Sequence, residues 1–228
     1  LGHVTDIVKH PRVPDRDLYV FDTKTDRLVR TVDTLGTLLY GLAVNSKGEV
    51  FIAQADARNH INGRAGTGKQ GLAELGNRAF LNQITKVPVG AGASPEFYDL
   101  EPRPPRHPKR SEALATPYGI QVSGNDATLV VSAAGSDVVC VMDAATGSIL
   151  GRVKVDSVPR GIALVEDENG SPTGAWVLNA VANTVSVLDF SDLSNPKLKS
   201  IIALEDPTHP EFKRGRIAFN KASASTTA

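Results

Sequence analysis

Oxygen-bearing side chains ahead of a glycine-rich stretch are the first residues whose type and spacing could do chemistry. Asp56, Asn59 and Asn62 carry the carboxylate and amide oxygens that hard cations such as Ca²⁺ prefer. The same residue types also serve turns, and only one of the three is charged, so a metal site and an ordinary loop both stay open. Residues 63–69 fit the G-x-x-x-x-G-K part of a phosphate-binding loop. Gln70 stands where the hydroxyl ligand of Mg²⁺ should follow, which favours a surface loop.

A second stretch, residues 92–113, combines frequent proline with basic side chains. Proline removes backbone hydrogen-bond donors and favours extended conformations, so we expect an excursion outside any sheet. The basic side chains are candidates for an interaction: they are Arg103, Arg106, His107, Lys109 and Arg110. The pattern is typical either of a solvated excursion or of a docking loop for a second domain or partner protein.

The remaining reactive side chains form no recognisable constellation. The five histidines share no zinc-ligand spacing, and no serine carries a nucleophile-elbow motif. The single cysteine, Cys140, lies in an apolar run that predicts a buried thiol. The 25 basic and 25 acidic residues cancel, which argues against a general nucleic-acid binder. No apolar run reaches the length of a membrane span.

An internal repeat indicates which elements must position these residues. Residues 117–122 (PYGIQV) and 159–164 (PRGIAL) begin 42 positions apart, and 40–44 (YGLAV) is a third copy. Each unit contains four short segments rich in β-branched residues, joined by turns, with no room for a crossover helix. Asp143 should accept hydrogen bonds from the amides of the following turn, and Gly147 should adopt a positive φ. Four antiparallel strands per repeat predict a β-propeller blade, whereas a β-sandwich would not repeat at this period.

The units resemble the YVTN family of β-propeller repeats. The last unit shows this best, with PRGIA at 159–163, WVLN at 176–179 and NTVSVLD at 183–189. About four units cover residues 1–204 (1–34, 35–89, 114–155 and 156–204), with insertions at 57–77 and 92–113 and a first unit that lacks its opening half. The resemblance implies an all-β propeller. Because propeller rings commonly hold six to eight blades, four units would be an arc of a larger ring.

The C-terminal segment, residues 205–228, carries the functional hint. Pro210 and Glu211 suit the first turn of a helix, which is predicted to be short. Gly215, Arg216 and Phe219 resemble the G-R-x-x-F opening of cytochrome c peroxidase-like (MauG-like) haem domains, in which small polar residues and C-x-x-C-H follow. These 228 residues contain no C-x-x-C-H, so they bind no haem covalently. The resemblance implies that a linker leads to a c-type haem domain further along the polypeptide.

Three functions remain open at this point. The first is a non-catalytic propeller scaffold of a larger exported c-type cytochrome-like protein, whose partner would be its own haem domain or an electron-transfer protein. Since c-type haem is attached outside the cytoplasm, this resemblance implies the periplasm or the cell surface, and the parent protein would be a haem oxidoreductase. The second is a propeller that binds a protein or small ligand through its blade loops. The third is a propeller enzyme of the lactonase or quinoprotein dehydrogenase kind, which needs a metal or quinone site that the sequence does not display.

Overall fold

The computed structural model describes residues 16–58, 75–88 and 93–220, and these form four antiparallel sheets followed by one helix. A two-stranded sheet, which we call the half-blade, comes first. Three four-stranded sheets follow, called blades A, B and C. The half-blade consists of β1 (Leu18–Asp22) and β2 (Arg27–Val32). Blade A consists of β3 (Leu38–Val44), β4 (Val50–Ala57), β5 (Phe80–Val87) and β6 (Glu96–Asp99).

Blades B and C repeat the same plan. Blade B consists of β7 (Pro117–Val122), β8 (Thr128–Ala133), β9 (Val138–Asp143) and β10 (Ile149–Lys154). Blade C consists of β11 (Pro159–Glu166), β12 (Pro172–Asn179), β13 (Thr184–Asp189) and β14 (Lys197–Ala203). In every blade the strands are hydrogen-bonded in chain order, and the first strands of neighbouring blades lie side by side, β3 against β7 and β7 against β11. The first strand of each blade is therefore the innermost one.

The turns between the third and fourth strands form as the sequence predicts. Asp143 Oδ1 accepts hydrogen bonds from the backbone amides of Ala145 (3.0 Å) and Thr146 (2.7 Å), and Gly147 has a φ of +71°. Asp22 caps the equivalent turn of the half-blade by accepting from the amides of the second and third residues after it. A short carboxylate and a residue that tolerates positive φ thus close both hairpins.

The core consists of layers between the blades. On β8, Leu129 and Val131 pack in one cluster with Phe51 of blade A, whereas the intervening Val130 packs in another with Val177 of blade C. All residues of β8 are buried because side chains alternate between two covered faces. Sheets stacked face to face around innermost strands are the arrangement of a β-propeller, so the predicted fold class is confirmed.

The Pro-rich stretch 92–113 differs from its prediction. Its early part is not an excursion, because Glu96–Asp99 forms β6 and pairs with β5 as the outer strand of blade A. A short edge strand needs a ladder on one side only, and Pro95 and Pro102 lie outside its four residues. Among the described residues of this stretch, the excursion therefore comes after Asp99. In the other expected insertion, 57–77, Ala57 ends β4 and residues 59–74 lie outside the described residues.

The predicted C-terminal helix is present as α1 (Pro210–Asn220). It contains no buried residue, so it does not pack into the core of the blades. Phe212 and Phe219 are 74% and 90% exposed.

Candidate functional site

A groove of about 720 Å³ lies between blades A and B. Its walls are the ends of strands from both blades and a segment that follows β6. We call this segment, residues 101–116, the basic loop. A volume of this size is within the range of ligand-binding pockets, so the groove is the candidate site of the described part of the chain.

A buried ion pair fixes both ends of the basic loop. Arg78 Nη2 lies 2.7 Å from Glu101 Oε2, and the two side chains are only 8% and 5% exposed. Glu101 also accepts hydrogen bonds from Asn82 Nδ2 at 3.0 Å and from the backbone amide of Leu114 at 2.8 Å. Since Glu101 and Leu114 stand at opposite ends of the loop, one carboxylate closes it. The cost of burying these charges is offset by their complete pairing.

Further hydrogen bonds set the path of the loop between those ends. Arg78 donates to the carbonyl oxygens of Pro102 and Arg106, and Asn82 Oδ1 accepts from the amide of Thr116 at 3.1 Å. These contacts satisfy the backbone of a segment that belongs to no sheet. The basic loop is therefore held in one shape against blade A.

The five basic residues predicted to form an interaction surface lie on this loop, and all five are exposed. Arg103 pairs with Asp99, and Lys109 pairs with Glu112 at 3.4 Å. His107 and Arg110 line the groove. An interaction through these residues stays a prediction, but the structure brings them together on a well-supported loop.

The groove also exposes apolar surface and a basic residue from the strands. Leu38, Tyr40 and Phe80 line it and remain about half exposed. Lys154, at the end of β10, lines the side formed by blade B. Apolar side chains beside cationic ones suit a partner that combines apolar groups with carboxylates.

The proposed cation ligands are not assembled by the described residues. Asp56 Oδ1 accepts a hydrogen bond from Thr37 Oγ1 at 2.9 Å, while Asn59, Asn62 and the phosphate-loop-like residues 63–69 lie outside the described part. Within residues 16–58, 75–88 and 93–220, no group of three or more His, Cys, Asp or Glu residues could hold a metal ion. A metal site in this region stays a prediction.

Cys140 is fully buried on β9, as its apolar neighbours predict. Burial raises the pKa of its thiol to about 12, because a thiolate would have to leave water. The residue packs with Phe51 and Leu129 between blades A and B. Its role is therefore that of a small core side chain and not of a nucleophile.

The innermost strands carry a stack of side chains that the sequence did not single out. The Tyr40 and Tyr118 rings are stacked with centroids 5.1 Å apart, and the Arg160 guanidinium lies 4.7 Å from the centroid of Tyr118. All three occupy the same position of the repeat, immediately before its glycine. That shared position is the sequence signal that could have identified them. The cation–π contact between Arg160 and Tyr118 contributes roughly 0.5–1 kcal/mol.

The residues that resemble the opening of a haem domain lie on α1. Arg216 donates to Asp206 Oδ2 at 3.0 Å, and Lys213 lies 3.3 Å from the same oxygen. The pKa of Asp206 is well below its usual range because of hydrogen bonds from Thr208 and then from these two cations. Apart from the neighbouring backbone of α1, no described atom lies within 4 Å of where a Cβ on Gly215 would stand, and Phe219 is almost fully exposed. The ion pairs thus hold α1 against the segment that precedes it.

The described helix is too short and too polar to cross a membrane.

No family model and no curated protein matches the sequence. Comparison with solved structures does find similar folds. Hydrazine synthase of Kuenenia stuttgartiensis matches with a TM-score of 0.58 and 15% identity over 75% of this chain and 51% of its own.

The same comparison finds two further structures. The periplasmic gluconolactonase of Pseudomonas aeruginosa matches with a TM-score of 0.54 and 15% identity, over 84% of this chain and 50% of its own. Virginiamycin B lyase of Staphylococcus aureus gives a TM-score of 0.46 and 18% identity, over 75% of this chain and 42% of its own. The chain thus spans about half the length of these proteins or less. The hydrazine synthase and the gluconolactonase, at 15% identity each, support the propeller fold alone.

Proposed function

We propose that this chain is the non-catalytic β-propeller region of a larger exported redox protein, in which it positions a c-type haem domain or an electron-transfer partner. The observation that carries the proposal is the placement of α1. The helix follows blade C, and its Lys213 and Arg216 form ion pairs with Asp206 in the segment that precedes it. None of the helix residues is buried.

The exposed side chains of α1 support a role as the first element of a following domain. Phe212 and Phe219 are 74% and 90% exposed, so a domain that follows α1 could bury both rings. The same helix carries the G-R-x-x-F pattern at Gly215, Arg216 and Phe219. The blades would therefore supply a rigid base, and α1 the connection to the redox domain.

The residues of this chain do not fit a covalently bound haem themselves. Covalent attachment needs two cysteines and a histidine in C-x-x-C-H, whereas the sequence contains one cysteine, Cys140, which is buried in blade B. No electron-transfer step is assigned to these residues. Their proposed role is to hold and orient the haem domain or the electron-transfer partner. The proposed location is the periplasm or the cell surface.

The test is a haem stain and a pyridine haemochrome spectrum of the full gene product, expressed together with a c-type cytochrome maturation system. A c-type spectrum is expected, and a full-length product without it would overturn the proposal. A second measurement addresses α1 itself. Phe212→Ser with Phe219→Ser should increase hydrogen exchange of α1 in the full product, while Phe97→Ser on the blade edge should leave that exchange unchanged.

A second candidate function is a binding module for an acidic protein surface, and the fixed basic loop favours it. A loop already held by Glu101 and Arg78 loses little conformational entropy on binding. Arg106→Glu with Lys109→Glu should abolish salt-sensitive binding of a fluorescein-labelled poly-glutamate peptide. The matched control is Lys197→Glu with Lys199→Glu on β14, which changes the net charge by the same amount away from the loop and should leave the binding intact. Equal loss of binding in both double variants would refute the role of the loop.

A further inference from the structure

A lysine at the end of β10 gives the groove between blades A and B a positive charge. Lys154 is exposed and lines the groove, and it forms no ion pair with any residue that the structure describes. His107 and Arg110 of the basic loop are exposed in the same lining. The electrostatics of the groove therefore favour an anionic ligand.

The two acidic side chains in the lining are engaged with other groups. Glu101 is in the buried pair with Arg78 and accepts two further hydrogen bonds. Asp137 is 9% exposed, and its Oδ1 accepts a hydrogen bond from the backbone amide of Val158 at 2.9 Å. Since none of the described carboxylates pairs with Lys154, the groove can accept the carboxylate of a ligand there.

Blade A contributes an apolar surface to the same groove. Leu38, Tyr40 and Phe80 line it and are 42%, 38% and 44% exposed. The Tyr40 ring is also stacked on Tyr118, so it can receive an aromatic group with little further loss of side-chain freedom. Apolar side chains that meet water at a concave surface favour a ligand that removes them from it.

We propose that the groove binds a small aryl carboxylate, a molecule that combines an aromatic ring with one carboxylate. The ring lies against Tyr40 and Phe80 of blade A, and the carboxylate pairs with Lys154 of blade B. Burial of the ring supplies most of the affinity, while the charge pair selects the anion and sets its orientation. One ligand therefore contacts both blades.

The shape of the groove favours a small molecule over an acidic protein. Its volume of about 720 Å³ is within the range of pockets that enclose small ligands. Arg106 and Lys109, the residues that test the second candidate function, are exposed but do not line the groove. An acidic protein surface would therefore meet the basic loop outside the groove, and the aryl carboxylate site is separate from it.

The probe is 2-naphthoate, titrated into the purified protein by isothermal titration calorimetry. For comparison, 2-naphthamide carries the same rings without the charge, and acetate carries the charge without the rings. We expect 2-naphthoate to bind at one site per chain, 2-naphthamide to bind roughly fivefold more weakly, as the loss of an exposed ion pair predicts, and acetate to show no saturable binding. Absence of 2-naphthoate binding, or an equal affinity for either comparison compound, would overturn the proposal.

A matched pair of lysine variants locates the bound carboxylate. Lys154→Met should weaken 2-naphthoate binding roughly fivefold and leave 2-naphthamide binding unchanged, which also shows that the variant keeps the groove intact. Lys199→Met removes an exposed lysine of β14 that does not line the groove, and both affinities should stay unchanged. Phe80→Ser should weaken both ligands alike, and if this variant does not fold, the Lys154→Met comparison still decides the question. Wild-type affinity for 2-naphthoate in Lys154→Met, or in a folded Phe80→Ser variant, contradicts the proposal.

Discussion

Replacement of Glu101 by alanine is the most direct test of how the basic loop is held. The carboxylate is almost fully buried, and it accepts from Arg78, Asn82 and the amide of Leu114. Glu101→Ala removes both acceptor oxygens and therefore all three hydrogen bonds at once. It leaves the Arg78 guanidinium, which is 8% exposed at its side chain, without its counter-charge.

Breaking a buried ion pair by removing one partner typically costs about 3–5 kcal/mol, because an uncompensated charge remains. We expect Glu101→Ala to lower the free energy of unfolding by an amount in that range. Arg103→Ala is the matched control, since its pair with Asp99 joins the same loop to β6 but leaves the Arg103 side chain 64% exposed. Exposed pairs contribute about 1 kcal/mol or less.

The assay is urea unfolding followed by far-ultraviolet circular dichroism, with amide hydrogen exchange at Leu114 and Thr116 as the local readout. Glu101→Ala should shift the unfolding midpoint markedly and accelerate exchange at both amides. Glu101→Gln should fall between the wild type and Glu101→Ala, because it keeps an oxygen for Leu114. If Glu101→Ala and Arg103→Ala lose the same stability and exchange alike, the buried pair does not hold the loop.

Three titrating groups give further expectations. Cys140 should resist Ellman's reagent in the folded chain and react in urea, because burial raises its pKa to about 12; reaction at equal rates would contradict its burial. Burial, with the nearby charge of Glu96, raises the pKa of Tyr98 from 10.0 to about 12. Its stabilising effect is thus present below pH 10 and lost as the pH rises towards 12, and Tyr98→Phe should remove the last phenolate absorbance phase. Hydrogen bonds from Thr146 lower the pKa of Asp143 below 3.8. Its contribution is therefore present above that pH and lost in acid, so Asp143→Asn should flatten the acid limb of the stability profile, and an unchanged limb would exclude Asp143 as its source.

Much of the fold follows from local pattern. The repeat spacing predicts the four-stranded blades, because each hairpin is set by a short apolar strand and a turn residue such as Asp143. The helix at Pro210 and the buried thiol of Cys140 follow from equally local signals. The basic residues of the candidate site were likewise visible as a cluster in the sequence. The sequence pattern does not indicate whether the loop that carries this cluster is held in a fixed shape.

Tertiary structure alone decided the features that join distant residues. Arg78 and Glu101 stand in unrelated stretches, and only the packing of the loop on blade A brings them to 2.7 Å. The strand at Glu96–Asp99 forms inside a proline-rich segment because β5 offers it an edge. The sequence by itself determined that the chain is built of blades. Which neighbour each repeat contacts depends on how the blades stack: among the described residues, Gly119 lies against the backbone of Arg160 in the next blade, whereas Gly161, in a similar motif, lies near only Leu178 of its own blade.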